Sequence, residues 1–149
     1  MATIKPNTPA TARPGFKKIE FIDIENVLTY LRLKTGISLG LLQNAEVNCL
    51  EGAKISQQCQ PDEHNAYSHS ITATMGARQS FNQDQLYKWQ QKGFVVILTD
   101  YNGNQWLAGA PLTPLHLEWN ENDSGNPEDG CPLVVTFAGS TLDPLLHRL

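Results

Sequence analysis

The chain has 149 residues, 17% of them charged and 40% hydrophobic, with 11 glycines and 9 prolines. That length fits one domain able to bury a core without metal or disulfide staples. The composition is too apolar for a disordered chain and too rich in turn formers for a helical bundle, which favours strands. No run approaches the roughly eighteen apolar residues of a membrane helix, and no apolar segment follows Lys5 as in a secretory signal. A soluble protein working where it is made is expected, with Cys49, Cys59 and Cys131 as reduced thiols.

The net charge of −4 hides a gradient. Residues 1–34 carry six basic groups (Lys5, Arg13, Lys17, Lys18, Arg32, Lys34) against three acids. Residues 93–149 carry seven acids against Arg148 alone. Such ends attract within a chain or between copies, where complementary charge sets register. A sequence-specific nucleic-acid partner is disfavoured, because the basic end is sparse and lacks interleaved aromatics.

In chain order, residues 1–15 hold three prolines and no apolar period, and read as a flexible arm preceding one β-rich domain over 16–149. From Ile19 to Ile24 an imperfect alternation predicts a strand. Val27 to Leu33 alternates again, with Val27, Thr29, Leu31 and Leu33 on one side, and fits a strand or a short helix. The polar stretch from Ser56 to Ser70 reads as a long loop, followed by a short strand over Ile71–Met75. Ser80 and Gln83 have capping-box spacing, Asp84 lies in a first turn, and Lys92 with Gly93 supplies a basic last turn and a left-handed stop. A helix over 81–92 follows, with Phe81, Leu86 and Trp89 turned to a sheet and Tyr87 to one side.

The β-branched run Phe94–Thr99, then Asn102-Gly103, then Asn104–Ala108 predicts a hairpin closed by a type I′ turn. Leu115–Trp119 alternates cleanly, burying Leu115, Leu117 and Trp119, and Leu133–Phe137 supplies a fourth strand. The C-terminal half therefore reads as a helix followed by a four-stranded antiparallel meander, with Trp89, Trp106 and Trp119 in the core.

Chemical signatures are weak. Cys49, Cys59, His64 and His69 lie within 21 residues, but not in the close pairs of zinc modules. Asn120, Asn122, Ser124 and Gly125 imitate a calcium loop that fails where Cys131 replaces the closing Glu. No nucleophile elbow or phosphate loop is present. No enzyme, cofactor or metal is expected. A binding or assembly module remains, whose sheet edges must be covered or used.

The stretch FVVILTDYNGNQWLAGAPLTPLHLEW, then an acidic Gly-rich loop, then PLVVTFAGSTLDPLL, resembles small virion structural proteins of the tail and neck of tailed bacteriophages and prophages. In these a strand, an Asn-Gly turn, a W/Y-L-x-G return, a Pro-Leu strand and a TF-x-x-x-[ST] strand recur in that order. The upstream KKIEFIDIENV fits the same layout, and the likeness covers about a third of the chain.

The resemblance implies a mainly β (α+β) fold, an antiparallel β-sandwich or partly closed barrel flanked by one helix. It implies a tail-tube, tail-terminator or head–tail connector subunit in the virion, forming a six- or twelve-fold ring with itself and neighbouring virion proteins around a channel through which DNA passes. The expected subunit contacts are Lys5, Arg13, Lys17 and Lys18 of the basic segment and Gln57, His64 and His69 of the polar stretch. The alternatives are a small bacterial protein-binding module using a sheet edge, and an enzyme with an unrecognised Cys59/His64/His69 site.

Overall fold

A computed structural model describes residues 15–51, 54–62, 65–75, 83–121 and 133–149. Eleven strands and one short helix are described: β1 (Phe16–Asp23), β2 (Val27–Leu33), β3 (Gly36–Leu41), β4 (Asn48–Glu51), β5 (Lys54–Pro61), β6 (Tyr67–Met75), α1 (Gln83–Gln90), β7 (Gly93–Asp100), β8 (Gln105–Ala108), β9 (Leu115–Glu121), β10 (Leu133–Thr141) and β11 (Leu146–His147). The named strands pair antiparallel throughout. The expected mainly β fold with a single helix is what the chain adopts.

The main sheet runs β11-β8-β7-β9-β10-β6-β5, with β1 on the other edge of β7 and β4 beyond β1. β4 pairs with β1 while β5, two residues further along the chain, pairs with β6. One stretch of chain thus links the two ends of the sheet. No ladder joins β5 itself to β1 among the described residues, so the barrel is not closed.

The interior is filled by alternate residues of these strands. Ile19 and Phe21, Ile71 and Ala73, Phe94, Val96 and Leu98, Leu115 and Leu117, Val135 and Phe137 form one cluster, with Leu86 and Trp89 of α1 packed on it. Phe21 lies at its centre, with the rings of Trp89, Phe94 and Phe137 at 5.0, 5.2 and 5.0 Å. Such edge and tilted contacts add directional attraction to the burial itself.

The hairpin β2–β3 forms a second sheet. Its inner residues Val27, Tyr30, Leu39 and Leu41 pack with Ile22, Ile37, Val95, Ile97 and Leu107 in a separate, smaller cluster on the outer face of β1, β7 and β8. β7 is therefore buried on both faces, Phe94, Val96 and Leu98 inward and Val95 and Ile97 outward. This is why Phe94–Leu98 reads as an unbroken apolar run rather than an alternation.

Several expectations are corrected. The region from Ser56 to Ser70 is not a long loop: β5 and β6 pair from Lys54↔Thr74 to Pro61↔Tyr67. The turn is held by Asp62 N–H to the Ala66 carbonyl at 2.8 Å and by Ala66 N–H to Asp62 Oδ1 at 3.0 Å. β5 alternates in burial, but its inward residues include Gln57 and Cys59, so the period is hidden beneath a polar composition.

Nor are the last four long strands a meander. β8 and β9 share one edge of β7, Val96–Thr99 pairing with β8 and Gly93–Phe94 with β9, so β9 continues the line of β8 after residues 109–114 and pairs with β10 on its other edge. Gly93 is no left-handed helix stop; it opens β7, and a Cβ there would stand 2.7 Å from Pro114.

The β7–β8 turn also differs from type I′, because Asn102 does not take positive φ and Gly103 alone does, at 86°. The Asp100 carboxylate accepts the Asn102 and Asn104 N–H groups, which holds a wider loop. Val27–Leu33 is a strand, but a register shift between Val27 and Thr29 moves Val27 and Tyr30 to the same, inner side. The expected grouping of Val27 with Leu31 and Leu33 fails there.

α1 is shorter than expected, with Ser80, Phe81 and Asn82 outside the described residues. Its Leu86 is buried and Trp89 packs on the core as expected. Lys92 lies past the helix end and pairs with Asp23 at 3.3 Å. No helix among the described residues is long and apolar enough to cross a membrane.

Candidate functional site: an exposed strand edge, a cleft and a buried histidine

The contact residues expected from sequence do not form one surface. Lys5, Arg13 and His64 lie outside the described residues. Lys17 is exposed on β1, and Lys18 pairs with Glu20 at 3.1 Å. Gln57 is half-buried on β5, lining a shallow polar depression with Cys59, Tyr67 and Pro144.

His69 is no surface contact: it is 1% exposed, at one end of the inward row His69, Ile71, Ala73, Met75 of β6. Its Nε2 lies 2.8 Å from Thr141 Oγ1 and 3.0 Å from the Asp143 carbonyl oxygen. A carbonyl only accepts, so the proton is assigned to Nε2. Thr141 in turn donates to the same carbonyl, while His69 Nδ1 is buried with no partner among the described residues. His69 thereby pins the segment following β10 to the barrel end. Cys59 is its ladder neighbour on β5, yet no hydrogen bond joins the thiol to the imidazole. Among the described residues no three His, Cys, Asp or Glu side chains converge as a metal site.

The segment that His69 anchors borders a cleft of about 350 Å³ lined mainly by Tyr30, Leu107, Ala110, Pro111, Leu142 and Pro144. Arg32 of β2 forms an ion pair with Asp143 on its rim. Burial first, then the charge of Asp143, push the Tyr30 hydroxyl up to about 12, with the Arg32 guanidinium pulling the other way. Part of the charge gradient along the chain is thus used internally, a basic residue of the first third fastening the hairpin to an acid of the last segment.

Among the described residues the opposite side of the hairpin is exposed. Since Tyr30 faces inward and Arg32 reaches Asp143, strand alternation turns Leu31 and Leu33 outward. Leu28, Leu31 and Leu33 are 63%, 57% and 44% exposed. β2 pairs only with β3, so its other edge carries unpaired backbone groups among the described residues. Sequence reasoning placed the contacts on charged and polar residues and not on this segment, which it read as a strand or short helix over Val27–Leu33.

Compared with models of known protein families, with curated proteins and with solved structures, the chain matches none.

Proposed function

We propose that this protein is a structural subunit that acts by assembling with copies of itself rather than by catalysis. The observation that supports this most is β2, an unpaired strand edge bearing three exposed leucines on an otherwise well-packed body. Proteins that remain monomeric blunt such an edge with charge, proline, a bulge or a covering loop. The setting that the sequence resemblance implies is the tail or neck of a bacteriophage virion, as a ring subunit around a DNA channel. A protein-binding module using the same edge is the second reading, and the bare edge favours it too.

Solution mass by light scattering, at low and high salt, separates them. Assembly predicts a concentration-dependent multimer of the 16.5 kDa chain, and the ring setting predicts six or twelve copies visible by electron microscopy. A chain that stays monomeric at every concentration contradicts self-assembly and moves the edge to a foreign partner.

A further inference from the structure

We infer that the free edge of β2 pairs antiparallel with β2 of a second copy across a two-fold axis, joining two hairpins into a four-stranded sheet β3-β2-β2-β3. The inference rests on the self-assembly reading and deepens it by naming the surface and the operator. A strand edge is a row of unpaired N–H and C=O groups, and its best-matched partner is another such row. A two-fold makes that partner the same strand and makes the pairing antiparallel.

Among the described residues the two longest strands that pair on one side only are β5 and β2, and they differ in what they offer. On β5 the exposed residues are Lys54, Ser56, Gln58, Gln60 and Pro61, a polar set that includes a residue without an N–H. Those are the features by which edges are kept single. On β2 the exposed residues are Leu28, Thr29, Leu31, Arg32 and Leu33, and Arg32 is already engaged with Asp143. Nothing of like charge on β2 opposes a second β2. The outer edge of β3 is already taken in part, since the Leu149 N–H donates to the Ile37 carbonyl at 2.9 Å.

The ends of β2 favour the antiparallel arrangement. Glu25 stands exposed two residues before the strand and Lys34 exposed one residue after it. When β2 pairs with itself centred on Tyr30, the start of one strand lies beside the end of the other. Each Glu25 then comes within one position of the Lys34 of the other copy, twice per dimer, whereas a parallel arrangement sets like charges together. On the outer face Leu31 of each copy comes opposite Thr29 of the other, so the leucine rows merge.

Sedimentation and light scattering of the full chain over a wide concentration range test this, with circular dichroism and thermal melting to show that each variant folds. The expected result is a dimer at twice the chain mass, or a larger even multimer built from it. Glu25→Lys and Lys34→Glu each weaken dimerisation by roughly 2- to 30-fold, since each change is met twice, and the double charge swap restores it. Leu31→Lys weakens it by about tenfold or more while melting at the wild-type temperature. A multimer that ignores these changes, or a double swap no better than the singles, overturns the β2 pairing while leaving self-assembly intact. A monomer at every concentration overturns both.

Discussion

The barrel interior and the β2–β3 hairpin are built from the same kind of antiparallel ladder, yet they are held very differently. The interior draws buried side chains from seven strands and the helix, and Phe21 alone touches three other aromatic rings. The hairpin is attached through one face, by a small cluster around Ile37, Val95 and Ile97, by the Arg32–Asp143 ion pair, and by contact of Gly36 with the His147 backbone. Among the described residues its other face is exposed and one edge carries no ladder. The difference teaches that the body supplies stability while the hairpin, held by few buried contacts, is the region expected to open first.

The largest expected effect lies in the interior. Phe21→Ala removes the ring at the centre of the aromatic cluster and costs about 3–5 kcal/mol in denaturant unfolding. Ile37→Ala, in the smaller cluster, is expected to cost about 2 kcal/mol, because a hairpin attached by one face can settle into the space left. An Ile37→Ala loss equal to that of Phe21→Ala would erase the contrast between the regions.

Gly93→Ala sharpens the junction between β7 and β9. Its Cβ would press on Pro114 at 2.7 Å, and a loss of about 1–3 kcal/mol is expected, read by thermal melting.

The two titrating groups separate the regions by pH. Burial raises the Asp100 carboxyl, but hydrogen bonds from the Trp106 indole and the Asn104 and Asn102 N–H groups outweigh it and leave it below its ordinary 3.8. Its contribution is present above pH 3.8 and is lost as pH falls through the lower folded value. Asp100→Asn is expected to flatten that acid limb in pH-dependent melting. Tyr30 acts at the other end: its contribution is full below pH 10.0 and is lost as pH rises from there through about 12, a loss absent in Tyr30→Phe. The smallest effect belongs to Arg32→Ala, about 0–1 kcal/mol, because the guanidinium is half exposed to solvent.

Most of the barrel was legible in the sequence where burial is one-sided. Leu115, Leu117 and Trp119 alternate with His116 and Glu118 because β9 has one wet face, and the structure buries the first two and packs Trp119 on the core. The Asn102-Gly103 hairpin announced itself, though Asp100 sets its loop by a carboxylate whose role no local propensity reveals. β5 and the first half of β6 were illegible because glutamine, cysteine and histidine occupy inward positions, so the period of two carries no hydrophobic contrast. The β8–β9 arrangement was also hidden, since an interruption between two segments that share one strand edge leaves no trace in local pattern. The candidate assembly edge was missed for a related reason: leucines predict burial, and at β2 Leu28, Leu31 and Leu33 are exposed instead.

Native-state hydrogen exchange measured at several protein concentrations tests this account most directly. Amides of β6, β7 and β10 are predicted to exchange only on global opening, while the outward amides of β2 exchange fast in dilute solution and slow markedly as concentration rises. Protection of β2 that does not change with concentration would contradict it.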